Sequence, residues 1–151
     1  MSLRYMLDTN LCIRVLRDRP AGLKSRFNDE AEGLAISTIV LMELLHGAAK
    51  SAKPIENRRA VEDFASRLEV LAFDERASQH AADIKNDLER QGQMIGGYDL
   101  LIAGHARSQG LAIVTGNLGE FKRVAGLVCE DWTENTRPTA TPLKNSASDC
   151  F

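Results

Sequence analysis

Short apolar runs alternate with longer stretches of helical periodicity along the whole chain. Tyr5-Met6-Leu7, Leu34-Ala35-Ile36, Val70-Leu71-Ala72-Phe73, Leu111-Ala112-Ile113-Val114 and Leu127-Val128-Cys129 each have the length and apolar character of a buried strand. Between them, residues 11–16, 23–27, 39–49, 54–67, 74–91 and 98–109 fit helices, and a shorter one holds Phe121 and Val124. Pro54 suits a first helical turn, and Gly92 and Gly110 stand where two helices should stop. Strands and helices in this alternation predict an α/β fold: a mostly parallel central sheet flanked by helices.

The pattern changes character near the end. Residues 1–133 read as one domain, and 134–151, with Pro138 and Pro142 among Thr, Ser and Asn, read as a disordered tail. A chain of 151 residues, 44% hydrophobic and 26% charged, has the make-up of a globular protein with one core. No apolar stretch approaches the roughly 20 residues of a membrane helix, so no membrane association is expected. Met1-Ser2-Leu3-Arg4 is too short for a secretory leader. Cys12, Cys129 and Cys150 are scattered and odd in number, which points to a reducing, cytoplasmic setting rather than a disulfide framework. A net charge of −2 excludes a nucleic-acid binder that works through an overall basic field. Local basic clusters, Arg14-Arg17-Arg19 and Lys122-Arg123, read as solvated helix faces or as patches.

Three carboxylates depart from the pattern. Asp8 ends the first strand where a helix begins, the edge at which open α/β sheets bind ligands, although capping alone explains such an Asp. Glu43 stands among Ile39, Val40, Leu41, Met42, Leu44 and Leu45, so the letters predict a buried carboxylate in need of a metal, a basic partner or a water-filled cleft. Asp99 opens the helix Tyr98-Asp99-Leu100-Leu101-Ile102-Ala103, where the helix dipole also favours it. Asn117 follows the clearest strand, where a turn residue is ordinary.

If the sheet is parallel, all four open onto one edge. Clustered carboxylates repel one another unless a proton or a cation intervenes. Oxygen donors with few histidines suit Mg²⁺ or Mn²⁺, and such a site fits phosphodiester hydrolysis. Glu43-Leu44-Leu45-His46 matches half of a di-iron Glu-x-x-His motif, but the motif occurs once and not on a helix bundle. His46 and His105 are therefore expected in the core or behind the site.

Taken in order, Met6-Leu7-Asp8-Thr9-Asn10, the stretch Ile36-Ser37 through Met42-Glu43-Leu44 to Gly47, Ile95-Gly96 through Tyr98-Asp99 to His105-Ala106, and Val114-Thr115 through Asn117 to Glu120-Phe121 resemble the PIN-domain family. The closer resemblance is to the VapC toxins of bacterial toxin–antitoxin pairs, and it spans about residues 4–132. It implies a Rossmann-like PIN fold and a Mg²⁺-dependent endoribonuclease, with Asp8, Glu43 and Asp99 as metal ligands. The family often has a further acid after the last long strand. Here Asn117 stands at that place and Glu120 one turn on, so both are candidate catalytic residues. Gly97 replaces a proline common before the aromatic-Asp pair. The resemblance also implies a VapB-like antitoxin, a homodimer and an RNA substrate; the similar enterobacterial members cut initiator tRNA in its anticodon loop.

Two other readings of the residues stand beside this one. A haloacid-dehalogenase-like phosphatase also puts an Asp at its first strand end, as a covalent nucleophile. It usually has a second acid two residues later, where this chain has Asn10, and it gives Glu43 no role. A non-catalytic binding protein on the same fold would keep the acids as an arginine-docking pocket.

Overall fold

The computed structural model describes residues 2–133; the tail expected over 134–151 lies outside them. Five strands form one sheet: β1 (Tyr5–Leu7), β2 (Leu34–Ser37), β3 (Glu69–Leu71), β4 (Ala112–Thr115) and β5 (Cys129–Asp131), in the order β3-β2-β1-β4-β5. Every neighbouring pair is parallel, so the sheet expected to be mostly parallel is parallel throughout. Successive strand residues point to opposite faces. All of β2 is buried, as are Met6, Leu7, Ile113 and Val114, so helices cover both faces.

Those helices are α1 (Thr9–Arg17), α2 (Leu23–Glu30), α3 (Thr38–Ala49), α4 (Pro54–Ser66), α5 (Glu75–Gln91), α6 (Gly97–Gln109) and the short α7 (Leu118–Phe121). Three start at a side-chain cap placed by the residue that ends or follows a strand. Asp8 accepts from the Leu11 amide at 2.7 Å, Ser37 from Ile39 at 3.1 Å and Asp74 from Ala77 at 3.0 Å. None of these helices is long and apolar enough to cross a membrane.

Two strand boundaries differ from those the apolar letters predict. β3 ends at Leu71, because the Phe73 amide donates to Thr38 Oγ1 at 3.1 Å instead of continuing the ladder. β5 begins at Cys129, paired with Ile113, while Val128 is 64% exposed. An edge strand is only half covered, so it needs no continuous apolar run.

The path of the chain decides where chemistry can occur. From β1 it builds outward through β2 to β3, then crosses back to lay β4 on the other side of β1 and β5 beyond it. The strand order therefore reverses between β1 and β4, and a crevice opens at their carboxyl ends. Asp8 follows β1 there, and its amide donates to Val114 O of β4 at 3.1 Å.

Packing fixes the helices that carry the acids. Phe27 of α2 and Phe64 of α4 stack at 4.8 Å, and Trp132 meets Tyr5 edge-on at 5.4 Å with the Arg26 guanidinium 4.3 Å above its ring. α6 lies against α5 so closely at Gly104 that a Cβ would stand 2.7 Å from the Ala81 amide nitrogen and 2.8 Å from its Cα. Gly104→Ala would return about 0.5–1 kcal/mol of helix propensity. Crowding against backbone, which cannot rotate away, costs about 1–3 kcal/mol. A net loss of stability is expected, read as a lower urea midpoint with an unchanged slope; an unchanged or higher midpoint would contradict this packing.

Candidate active site at the strand ends

Asp8 is 3% exposed, and both of its oxygens are engaged. Oδ1 takes the Leu11 amide, and Oδ2 takes the Thr115 hydroxyl at 2.5 Å. Thr115 is itself oriented, since its Oγ1 accepts the Asn117 amide at 2.9 Å. The hydroxyl's proton is thereby directed at Asp8 across the β1/β4 boundary. Burial pushes the Asp8 carboxyl up to about 6, with the charge of Glu43 adding to it; the bonds from Thr115 and Leu11 and the charge of Arg14 pull the other way.

Glu43 is not buried as its apolar neighbours predict. Val40, Leu44 and Ala48 form the buried stripe of α3, and Glu43 is half-buried beside it. Its Oε1 accepts the Thr9 hydroxyl at 2.7 Å, which ties α3 to the first turn of α1 next to Asp8.

Asp99, in the first turn of α6, is pushed up to about 7. Desolvation is the main cause; the hydrogen bond and charge of Glu120 follow, then the charges of Asp8 and Glu43. The Glu120 carboxylate beside it makes loss of the Asp99 proton costlier, so the two acids are electrostatically coupled. Glu120 thus belongs with the acids. Asn117 is exposed at the start of α7, and its side chain does not cap that helix.

The histidines stand apart. His105 is fully buried against Phe73, and neither ring nitrogen has a hydrogen-bond partner among the described residues. His46, expected in the core or behind the site, is exposed, because it follows the buried stripe of α3 by two residues.

A divalent cation fits this site by donor chemistry: carboxylate oxygens only, with charges that raise one another's proton affinity. As the side chains lie, no three Asp, Glu, His or Cys among the described residues converge closely enough to hold an ion. Each acid has a local partner instead: Thr115 and Leu11 for Asp8, Thr9 for Glu43, Glu120 for Asp99. Convergence on an ion requires Asp99 to release its proton.

Comparison with known proteins supplies the family. The PIN domain model matches residues 5–127. The chain belongs to the PIN-domain family. Within that family its relatives are VapC proteins. It is 48% identical over 131 residues to the tRNA(fMet)-specific endonuclease VapC of Shigella flexneri, covering 87% of this chain and 99% of the relative. Among solved structures, DNA-bound VapBC from Salmonella typhimurium matches with a TM-score of 0.82 and 48% identity, over 86% of this chain and 98% of that one. VapBC2 of Rickettsia felis, bound to a promoter fragment, matches with a TM-score of 0.80 at 37% identity over 87% and 99%.

Thr9 and Thr115 are the site residues of this PIN domain that sequence reasoning passes over. Both sit one residue from a position it singles out or end a strand, and a hydroxyl there reads as a cap.

Two outcomes follow from the geometry. Thr115→Val leaves Asp8 Oδ2 buried without its donor, at a cost of about 1–3 kcal/mol. The loss is read by urea denaturation, and wild-type stability would contradict the role given to Thr115. The acid pair also sets a pH dependence. Asp8 and Asp99 keep their protons to about 6 and about 7 in the folded chain, against 3.8 when free. The folded state then binds more protons than the unfolded one, so this contribution is full below about pH 4 and is lost as pH rises through the folded values. Chelator-treated protein should lose melting temperature from pH 5 to pH 8, more steeply than Asp99→Asn does. Mg²⁺ should raise the melting temperature more at pH 8 than at pH 5. Equal slopes for wild type and variant would contradict the coupling.

Proposed function

We propose that this chain is the toxin of a type II toxin–antitoxin pair, a Mg²⁺-dependent endoribonuclease in which Mn²⁺ can replace Mg²⁺. The observation that carries the reading is that Asp8, Glu43 and Glu120 lie near enough to Asp99, at the crevice where the strand order reverses, for their charges to raise its proton affinity. Asp8, Glu43 and Asp99 are the residues that would hold the cation. When bound, the ion supplies Lewis-acid stabilisation of phosphate charge and lowers the pKa of water.

The chain's own residues do the rest. Thr115 and the first turn of α1 fix Asp8, and Thr9 fixes Glu43, so two acids from different elements keep one orientation. Glu120 lies close enough to Asp99 to keep the proton affinity of Asp99 high. Asn117, exposed and uncharged beside this pair in sequence, offers an amide to the substrate where a further acid would repel it.

The substrate we propose is initiator tRNA, cut in its anticodon loop. Relatives at 48% identity from Shigella flexneri and Salmonella typhimurium are named tRNA(fMet)-specific endonucleases, names that give the tRNA and not the position of the cut. A single-stranded loop can also lay its backbone in a crevice as a duplex cannot. By likeness to VapBC complexes, the partner is a VapB-like antitoxin; the homodimer and the cytoplasmic setting are carried from the sequence reading alone. The phosphatase reading loses ground, because the relatives from Shigella flexneri and Haemophilus influenzae are named nucleases and Glu43 has a place only in the ribonuclease.

Antitoxin-free protein is expected to cleave initiator tRNA with Mg²⁺ or Mn²⁺ and to stop in EDTA. Asp8→Ala, Glu43→Ala and Asp99→Ala should each lower the rate by more than about 100-fold, the low end for removing one electrostatic stabiliser, while circular dichroism stays native. Full activity in EDTA, or a phosphoaspartate trapped at Asp8, would contradict the reading.

A further inference from the structure

Helix α1 brings a second charged side chain to the same sheet edge. Helical side chains tilt toward the N-terminus of their helix, and Arg14 reaches back in this way toward the strand ends. Its stem crosses Gly116: a Cβ on that glycine would stand 3.1 Å from Arg14 Nε and 3.5 Å from its Cδ. Gly116 lies between Thr115, which binds Asp8, and Asn117. The absent side chain at 116 is what lets the guanidinium lie beside the acids.

Arg14 is poorly satisfied there. Its Nε is buried with no hydrogen-bond partner among the described residues, and Arg14 takes part in none of the ion pairs among them. A guanidinium does not deprotonate, and a desolvated donor left unpaired is costly. Asp8 feels the charge of Arg14 but takes its hydrogen bonds from Leu11 and Thr115, not from the guanidinium. The site also has an electrostatic difficulty. RNA carries a charge on every phosphate, and an edge lined by four acids repels it even when a cation offsets part of that charge.

We propose that Arg14 binds a phosphate of the RNA strand next to the one that is cut, and so positions the strand across Asp8, Glu43 and Asp99. The inference builds on the ribonuclease reading above. The planar fork of arginine matches two phosphate oxygens, which a lysine does not.

The test measures cleavage of the initiator tRNA anticodon stem-loop with Mg²⁺, and binding of the same RNA to the Glu43→Gln protein with and without a change at Arg14. Arg14→Gln is expected to lower kcat/KM by about 10- to 100-fold, mainly through KM. The slope of log affinity against log salt should fall by about 0.7, one phosphate on a single strand. Arg14→Lys should keep most of the slope but not the full affinity. Gly116→Ala, which keeps the charge and displaces the guanidinium, should raise KM as well. A purely structural role for Arg14 would lower the melting temperature without changing the salt slope, and that result overturns the proposal, as does a wild-type KM in both Arg14→Gln and Gly116→Ala. If wild-type protein fails to cleave with Mg²⁺, or Glu43→Ala still cleaves, the ribonuclease reading itself is at fault. Metal-dependent cleavage that needs Glu43 but ignores Arg14 removes only the phosphate contact.

Discussion

The hydrogen bond from the Thr115 hydroxyl to the Asp8 carboxylate joins the two strands between which the chain reverses its winding. It is buried, charge-assisted and directed by the Asn117 amide behind it. Asp8 also starts α1, so one carboxylate caps a helix, bridges two strands and faces the crevice. Capping and site chemistry, alternatives for an Asp at a strand end, are here the same contact. The burial that makes this bond strong also pushes the Asp8 proton affinity up, so the site is held in tension by the fold that builds it.

That tension runs through the other acids. Glu43 leans on Thr9, and the Asp99 carboxyl is held up beside Glu120, so each of these carboxylates has a local neighbour. A cation that draws the acids together must compete with those neighbours, and the proton on Asp99 is the one it has to displace. Affinity for the ion should therefore rise with pH across the range in which that proton leaves. The same physics explains a cation-bearing side chain at the rim. Four acids suit a metal but not an approaching polyanion, and Arg14 is the basic side chain that the fold lays against this edge.

Much of this was legible in the letters. The apolar runs of β1, β2 and β4 end at Asp8, Ser37 and Thr115, and helical periodicity located α3 to α6, because a parallel sheet covered on both faces needs continuous apolar strands. The edge strand β5 was less legible, since half-covered strands lose that signal. Asp8, Glu43 and Asp99 could be singled out because each interrupts an apolar context. Glu43 was misjudged in one respect: sequence neighbours suggest burial, but only Val40, Leu44 and Ala48 turn fully inward, and the crevice beside them leaves Glu43 half-buried. Thr115 and Arg14 could not be assigned at all. Their roles depend on contacts with Asp8 and Gly116 that lie about a hundred positions away, and no local spacing encodes them.

The central claim is that these carboxylates form one divalent-cation site at the β1/β4 crevice. The most direct test is a crystal of the protein grown with Mn²⁺ and measured at the manganese absorption edge. The account predicts an anomalous peak enclosed by Asp8, Glu43 and Asp99. A well-ordered site with no peak there at millimolar Mn²⁺, in protein that still cleaves RNA, would contradict it.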